Sequence, residues 1–430
     1  MTKRIVVETG PLARVEGEGS LLIESDEGGG VEVKLNIFEP PRYYEAFLKG
    51  RMAEEVVDIV SRICGICPVA YQMSALNAIE GLYGIDVDEQ VKRLRRLLYY
   101  GEWIESHALH IFMLATPDFL RAPDVVAVAK SSADLVRKAL TLKRLGNSMM
   151  AAIGGREIHP VSLKVGGIYS APTKEVIAGL ASRLDSSLEF AKETVRIAAS
   201  FDKPELNRDV TFVSLRDADR YAITDGRLVS NRGLDIPASG YESNFFEQQV
   251  DYSNALRSRT SDGASYMVGP LARVNLNFDQ LHPSARAAAE GVGFHPPVTN
   301  PFESVVARAI ELVHCIEEVK VEAAEYARPA DLSIGYDHLE GTGCGVSEAP
   351  RGVLYHRYEL DGGGRVKKAK IVPPTAQNLI RIEDDIRELA PSILSANPDE
   401  ARRLSEMAVR NYDPCISCAT HFLKLRINRT

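Results

Sequence analysis

Two short stretches decide the fold. They are Arg62-Ile-Cys64-Gly-Ile-Cys67-Pro68, near the start of the chain, and Asp413-Pro-Cys415-Ile-Ser-Cys418-Ala-Thr-His421, near its end. Each holds two cysteines three residues apart, so both thiols of a pair can point the same way from one turn. Two such turns supply four thiolates, which suit zinc, copper(I), iron–sulfur clusters or nickel. The sequence therefore predicts a four-thiolate metal site built from both ends of the chain.

Spacing alone leaves three interpretations open. Structural zinc is the commonest use of two C-x-x-C pairs, but zinc ribbons place the pairs about 15–20 residues apart. Here the pairs lie about 350 residues apart. Two separate dithiol redox pairs are a second interpretation, and a catalytic metal is the third. A zinc knuckle stabilises a small segment that lacks a core, whereas 45% of this chain is hydrophobic.

Composition narrows the class of protein. The chain has 430 residues and a formal net charge of −8, which argues against nucleic-acid binding because phosphate contacts need clustered Lys and Arg. No apolar run approaches the length of a membrane span, and the N-terminus lacks the apolar core of a signal peptide. We therefore expect a cytoplasmic protein, in whose reducing surroundings paired cysteines favour metal binding or redox chemistry.

The hydrophobic pattern predicts an α+β, mainly α fold, with one large helical core and peripheral β-hairpins. No linker divides it, so we expect a single domain over residues 1–430. Alternating residues around glycine turns predict hairpins at 20–24 with 31–38 and at 352–360 with 365–372. Helical periodicity marks 88–114, 131–150, 174–199, 300–327 and 376–410, the last interrupted near Pro391. Residues 202–244 predict irregular strands and loops.

The residues flanking the cysteines resemble the large subunit of nickel–iron hydrogenases, over most of the chain. Further blocks agree with that family in the same order: Arg14-Val-Glu16-Gly17, Glu45 to Arg51, Glu105-Ser106-His107-Ala-Leu-His110, Gly155 to Pro160, Val268 to Asn275, Glu348-Ala-Pro350-Arg351-Gly352 and Val372-Pro-Pro374-Thr375. The sequences of these blocks are most similar to those of the cytoplasmic, multimeric branch of the family, which couples to NAD(P) or a deazaflavin. The resemblance implies the fold of such a subunit.

The resemblance also implies the activity, which is reversible heterolytic cleavage of dihydrogen into protons and electrons. In this family Cys64 and Cys415 would be terminal nickel ligands. Cys67 and Cys418 would bridge nickel to an iron that carries carbon monoxide and cyanide. Maturation proteins supply those ligands. Electrons would pass to an iron–sulfur small subunit, then on to NAD(P) or another soluble carrier, with iron–sulfur clusters and flavin only on partners, including diaphorase-type subunits.

Proton and ligand chemistry would fall to four further positions. Cys415 would accept the first proton and Glu16 would relay it, although Glu16 alone could be an ordinary surface glutamate. Arg351 would hold a cyanide or polarise dihydrogen, with Asp413 as its partner. A salt bridge of Arg351 with Glu348 or Asp413 is the structural alternative.

Other expected contacts are less direct. Pro350 lies next to Arg351 and would contact the cofactor. Thr375 or the backbone near Pro374 would donate a hydrogen bond to the other cyanide. The family's histidine near the bridging thiolate is Tyr71 here, and a frequent aspartate is Ser106. Three histidines would be hydrogen-bond partners around the site or ordinary core residues: His107, His110 and His159.

The resemblance further implies a buried magnesium or similar cation. Glu45 and His421 match its side-chain ligands, with a backbone carbonyl near Lys370. Residues 422–430 are then either a C-terminal processing peptide or a retained tail. Cys315 and Cys344 are expected to be structural.

Three other functions stay open on the sequence. A hydrogen-sensing subunit would use the same site for regulation. A metal-free scaffold, like the hydrogenase-derived subunit of respiratory complex I, is opposed by retention of all four cysteines. A structural four-cysteine zinc protein requires the flanking motifs to be coincidental.

Overall fold

The fold is a set of long helices flanked by small antiparallel sheets, in a computed structural model that describes residues 5–26 and 30–420. The α-helices of this part are α1 (Tyr44–Leu48), α2 (Ala53–Val60), α3 (Pro68–Tyr83), α4 (Glu89–Leu109), α5 (Thr116–Phe119), α6 (Val125–Ser131), α7 (Ala133–Gly154), α8 (Lys174–Asp185), α9 (Leu188–Ala199), α10 (Tyr241–Asn244), α11 (Pro270–Asn277), α12 (Pro283–Glu290), α13 (Ser304–Glu325), α14 (Pro374–Ser395), α15 (Pro398–Arg410) and α16 (Ile416–Ala419).

The strands of the described residues are β1 (Ile5–Glu8), β2 (Gly19–Ser25), β3 (Val31–Ile37), β4 (Leu163–Lys164), β5 (Gly167–Ile168), β6 (Val213–Arg216), β7 (Arg227–Ser230), β8 (Asp235–Ile236), β9 (Phe245–Gln248), β10 (Arg257–Thr260), β11 (Gly341–Ala349), β12 (Gly352–Leu360) and β13 (Val366–Val372). They form antiparallel sheets in the orders β1-β2-β3, β6-β7-β8 and β11-β12-β13, and the pairs β4-β5 and β9-β10.

The helical core is organised around α4 and α13. Helix α4 packs on α7 and α13, and α13 also covers α8, α9 and α11. Helices α4 and α7 approach closely because Gly101 faces Gly146, where an added Cβ would lie 2.7 Å from the Glu105 nitrogen. Beyond Leu109 the helix continues as one wider π-helical segment, His110–Ala115. This body carries the residues that surround the cysteines.

Strand β11 lies directly on α3, the helix that begins after Cys67. A Cβ at Gly343 would lie 2.0 Å from the Ala78 carbonyl oxygen, and one at Gly345 would lie 2.3 Å from that of Ser74. Glycine is therefore required at both positions. The strand leads into Ala349–Gly352, so this contact fixes Arg351 relative to the Cys64–Cys67 turn.

Most predicted elements are confirmed. Both hairpins form within a residue or two of the expected bounds, and each gains a third strand, β1 or β11. The helices predicted at 88–114, 131–150 and 300–327 are present as α4 with its π-helical extension, α7, and α13 with a short 3₁₀ turn before it. The weak stretch 202–244 contains the small β6-β7-β8 sheet and loops, as expected.

Two helix predictions are wrong in detail. The stretch 174–199 is two helices, because α8 ends at Asp185 and the Ser186 hydroxyl donates back to the Arg183 carbonyl at 2.6 Å. The break in 376–410 falls at Asn397 rather than Pro391. Pro391 is exposed near the end of α14, while the Asn397 side chain accepts from the Glu400 amide and caps α15. No helix in the described part of the chain is long and apolar enough to cross a bilayer.

Candidate metal centre

The Cys64–Cys67 turn is shaped by the start of α3. Cys67 is the residue before the helix and Pro68 is its first residue, a position where the missing proline amide costs nothing. The turn directs two amides at one sulfur: Cys64 Sγ accepts from Ile66 at 3.3 Å and from Cys67 at 3.4 Å. Amide donors stabilise a thiolate, so this turn favours the form of Cys64 that a metal would bind.

The two cysteine pairs meet in the core. Cys64 Sγ lies 3.5 Å from Cys415 Sγ, although 351 residues separate them in the chain. The donor atoms of Cys64, Cys67 and Cys418 lie within 4.8 Å of one another. All four thiols are reduced and no more than 2% exposed. The thiols therefore converge across the two pairs, as a single four-thiolate site requires and two separate dithiol pairs would not.

The pKa values of the Cys64 and Cys415 thiols shift in opposite directions. Burial raises the pKa of Cys415. The hydrogen bond with Cys415 lowers that of Cys64, although burial opposes it. Because thiol ligands bind a metal as thiolates, metal binding at these cysteines would release protons.

Glu16 is joined to Cys415 through both backbone and side chain. The two residues form a short parallel bridge, in which the Ile416 amide donates to the Glu16 carbonyl at 2.9 Å. Glu16 Oε2 accepts from Cys415 Sγ at 3.1 Å and from the Ser417 amide at 3.0 Å. The predicted relay carboxylate therefore lies in direct contact with the predicted first proton acceptor.

Arg351 and Asp413 form a buried pair. Arg351 Nε donates to the Asp413 carbonyl at 2.7 Å, and its Nη2 donates to Asp413 Oδ1 at 3.1 Å. Burial alone would raise the pKa of Asp413, but Arg351, His110 and Arg308 together outweigh it and hold that pKa below its usual value. Glu348, the other suggested partner of Arg351, pairs instead with Arg273 at 2.9 Å.

Thr375 and Pro350 lie next to these groups. Thr375 Oγ1 accepts from the Cys415 amide at 2.9 Å, which fixes the backbone of that cysteine. The Pro350 carbonyl accepts from Arg273 Nη2 at 3.1 Å. Both residues therefore help to hold site residues in place, and the roles predicted for them toward cyanide stay predictions.

Two buried donors beside the thiols have no hydrogen-bond partner among the described residues. They are Arg351 Nη1 and Tyr71 Oη. The thiols act electrostatically on both side chains, which lie in the same buried space. Ser106 Oγ, at the other noted departure from the family, is likewise buried without such a partner. A four-thiolate set with unused donors around it fits a metal centre whose own ligands accept hydrogen bonds.

The predicted cation site is described only in part, since His421 lies outside the described residues. Glu45 Oε1 accepts from the Ile371 amide at 2.9 Å, and burial raises its pKa to about 7. The Arg42 amide donates to the Thr420 carbonyl at 2.6 Å. Thr420 therefore lies beside the segment that leads to Glu45.

The three histidines noted in the sequence all have backbone or side-chain partners. His107 Nε2 contacts Glu311 Oε2 at 2.8 Å, and His110 Nε2 donates to the Arg410 carbonyl at 2.8 Å. Burial lowers the pKa of His107 to about 4 and that of His110 to about 3, so both are neutral at pH 7. His159 Nδ1 contacts the Ser61 carbonyl at 2.7 Å, just before the Cys64 turn.

The remaining cysteines lie apart from the thiol cluster. Cys315 is buried in α13. Cys344 is half-buried on β11, with the Tyr355 hydroxyl 3.5 Å from its sulfur.

Sequence reasoning missed three charged residues behind the site. Arg308 and Glu311 lie on α13 and Arg273 lies on α11, all completely buried. The available signal was charge within an apolar helical run, since residues 304–317 of α13 are all buried. A charge in such a run needs a buried partner, but the sequence does not say which one.

Comparison with known proteins agrees with this geometry. The family model described as nickel-dependent hydrogenase matches residues 42–138 and 230–421. The alpha chain of sulfhydrogenase 1 from Pyrococcus furiosus is 34% identical, over 96% of this chain and 97% of that protein. The matching chain of the vhu F420-non-reducing hydrogenase from Methanocaldococcus jannaschii is 32% identical, over 91% and 99%.

The fold gives the same answer. The crystal structure of an NAD⁺-reducing [NiFe]-hydrogenase in the H₂-reduced state superposes with a TM-score of 0.87 at 28% identity, covering 97% of this chain and 99% of that one. The chain therefore belongs to the nickel-dependent hydrogenase family, as a large, catalytic subunit.

Proposed function

We propose that Cys64, Cys67, Cys415 and Cys418 hold a nickel–iron centre at which this chain splits dihydrogen heterolytically. The observation that carries the proposal is the convergence of both cysteine pairs, with Glu16 Oε2 3.1 Å from Cys415 Sγ. Cys64 and Cys415 would be terminal nickel ligands. Cys67 and Cys418 would also contact an iron with carbon monoxide and cyanide ligands. When bound, such a centre supplies the redox-active metals that take up the electrons of dihydrogen.

The chain's own residues handle the proton. Cys415 Sγ is placed to take it first, and the contact with Glu16 lets the carboxylate receive it. Glu16 is half-buried, and two residues further on Glu18 is exposed. Glu16 therefore connects the buried sulfur of Cys415 to solvent.

Arg351 would bind the ligands of the iron. Asp413 occupies its Nε and Nη2, and Nη1 is the buried donor left over. A guanidinium stays protonated, so this donor is available throughout a catalytic cycle. Thr375 keeps its hydroxyl hydrogen while its oxygen accepts from Cys415, which supports a donor role toward the second cyanide.

The exposed surface around Gly65 is the proposed docking site for the subunit that receives the electrons. Gly65, between Cys64 and Cys67, is exposed, and so is the neighbouring loop at residues 155–158. Ile158, 55% exposed, lies 3.8 Å from the position of a Gly65 Cβ. We assign this surface to an iron–sulfur small subunit, which would pass electrons through diaphorase-type subunits to NAD(P) or another soluble carrier in the cytoplasm.

A magnesium or similar cation would bind at Glu45 with His421. Burial is the largest cause of the raised pKa of Glu45, and a bound cation would favour its ionised form. Carboxylate and carbonyl oxygens suit this ion. The site lies beside the C-terminal segment, so the cation would help to keep Cys415 and Cys418 in place.

Infrared spectroscopy of the native complex, purified without oxygen, tests the centre. One carbonyl and two cyanide bands that shift under dihydrogen are expected. Zinc in the thiolates without these bands would contradict the proposal. Bands with very low turnover, in tight complex with a signalling partner, would instead indicate a hydrogen sensor.

The matched control is Cys415→Ser. It should remove the bands and the activity and leave the fold intact, because the surrounding core is hydrophobic and continuous. Unfolding of this variant would instead favour a structural zinc site.

A further inference from the structure

We propose that Arg308 is a positioning residue, which holds Asp413 and Pro350 and thereby orients Arg351 toward the centre. The effect of Arg308 on the metal centre rests on the proposed function. The effect of Arg308 on the orientation of Arg351 does not. Arg308 lies on α13 and is completely buried, and it belongs to neither cysteine motif.

The first observation is a shared carboxylate. Arg351 Nη2 donates to Asp413 Oδ1 at 3.1 Å, while Arg308 Nη1 lies 3.4 Å from Asp413 Oδ2. Each guanidinium therefore uses one oxygen of the same aspartate. Without Arg308, the carboxylate could rotate about its terminal torsion and the Arg351 side chain would lose its fixed orientation.

The second observation is a backbone contact. Arg308 Nη1 also donates to the Pro350 carbonyl at 3.4 Å, and Arg273 Nη2 donates to the same oxygen at 3.1 Å. Pro350 precedes Arg351 directly. Arg308 thus reaches Arg351 twice, through the side chain of Asp413 and through the peptide before Arg351.

The third observation is that Arg308 is itself held from behind. Its Nη1 lies 3.4 Å from His107 Nδ1, while His107 Nε2 lies 2.8 Å from Glu311 Oε2. A neutral imidazole that accepts at Nδ1 carries its proton at Nε2, which is the tautomer that can donate to Glu311. Glu311 is in turn bound at both oxygens by Arg273, at 2.7 and 2.9 Å.

This arrangement leaves a positive charge beside the thiols. Among the described residues, Asp413 is the one carboxylate within ion-pair distance of Arg308, and it is shared with Arg351. Burial lowers the pKa of Arg308 to about 10, so it remains protonated at neutral pH. Two guanidinium groups and one carboxylate sum to a single positive charge. A buried charge of this kind is costly unless an anionic group offsets it, and four thiolates with cyanide form such a group.

Arg308→Met tests the proposal, because methionine fills similar space without charge or hydrogen bonds. Infrared bands of the cyanide ligands should shift, since their donor Arg351 is displaced, while the nickel content stays at half or more. Turnover should fall by about tenfold or more with little change in KM, as is typical when an electrostatic donor is misplaced. Arg308→Lys should return the bands part of the way.

Arg257→Met is the matched control. Arg257 is equally buried and pairs with Glu383 at 2.7 Å, but it belongs to the β9-β10 pair rather than the site. It should lower thermal stability without moving the cyanide bands. Unshifted bands and unchanged turnover in Arg308→Met would overturn the proposal.

A second measurement does not need the centre. In the metal-free full chain, Arg308→Met and Asp413→Asn should each lower the urea midpoint, and the double variant should fall no further than the worse single one. Additive losses would overturn the positioning role. If the native complex lacks cyanide bands, the proposed function is contradicted. The comparison of the single and double variants by urea unfolding still tests the positioning role of Arg308.

Discussion

Substitution of Glu16 distinguishes proton transfer from binding of the metal centre. We predict that Glu16→Gln lowers turnover by about 10²–10⁴-fold, because an amide can accept from the Ser417 N–H but cannot relay a proton. Nickel content and infrared bands should stay as in the unmodified protein. Glu18→Gln, on the exposed carboxylate two residues away, is the control and should keep full activity. A Glu16→Gln variant that retains its turnover would contradict the relay.

Glu318 gives the chain a pH dependence away from the site. Burial, followed by the nearby Glu322 carboxylate, raises its pKa from 4.5 to about 7, against the opposing charges of Arg220 and Arg96. The folded chain therefore holds a proton that the unfolded chain releases above pH 4.5, so stability falls as the pH rises toward 7.

Substitution of Glu318 by glutamine should remove this fall. Glu318→Gln is predicted to gain about 1–3 kcal/mol in the free energy of unfolding at pH 8 relative to pH 5, one pKa unit corresponding to about 1.4 kcal/mol. Urea unfolding at the two pH values measures it. Glu290→Gln, at an exposed helix end, is the control. An equal gain at both pH values would show that ionisation is not the cause.

Single residues were predictable where a motif fixes them. The contacts of Glu16 with Cys415 and of Arg351 with Asp413 join residues that the motifs had already singled out. The pairing of Glu348 with Arg273 was not predictable, since nothing in either stretch tells which buried charge faces which. That information arises only when folding brings Arg273 of α11 next to Glu348 of β11.

At the level of elements, the contact of α4 with α7 depends on glycine. Gly146→Ala would place a Cβ 2.7 Å from both the Glu105 nitrogen and the Gly101 carbonyl oxygen. Because backbone cannot move aside, we predict a loss of about 1–3 kcal/mol in unfolding free energy. Gly179→Ala, in open space on α8, should instead gain about 0.5–1 kcal/mol. Denaturant unfolding compares the two, and equal effects would contradict the close packing.

Elements were predictable where buried residues recur with the period of a strand. Strands β2 and β3 alternate between buried and half-buried residues over most of their length, and glycine turns mark the ends of both hairpins. Helix α3 was not predicted, because almost every residue from Pro68 to Tyr83 is buried and no polar stripe remains to reveal a period of 3.6. The helix that begins directly after Cys67 is therefore not marked by a helical period in the sequence.

At the scale of the whole molecule, Arg42 ties the two cysteine turns together. Its Nη2 donates to the Ile63 carbonyl at 2.7 Å and also to the Ser417 carbonyl. We predict that Arg42→Leu speeds amide exchange about tenfold or more in residues 61–67 and 411–420 alike, since hydrogen bonds from a charged group contribute about 1.5–3 kcal/mol.

Hydrogen exchange with mass spectrometry follows both segments at once. Arg51→Leu is the control, because the Arg51 side chain is 43% exposed and its ion pair is with Glu55 rather than with either turn. Faster exchange in one segment alone would show that the two turns open independently. The single domain expected over residues 1–430 stays a prediction, which is supported by the position of Cys64, Cys67, Cys415 and Cys418 in one main core.

The short parallel bridge between Glu16 and Cys415 has a consequence for how the protein is made. A ribosome synthesises Cys415 and Cys418 about 350 residues after Cys64 and Cys67. Over that interval the nascent chain contains Cys64 and Cys67 but lacks the other two thiols of the cluster. The segment with Cys415 and Cys418 completes the four-thiol cluster when it docks beside Glu16. We therefore expect its docking to be the step that separates a metal-free precursor from a chain that holds its metal centre.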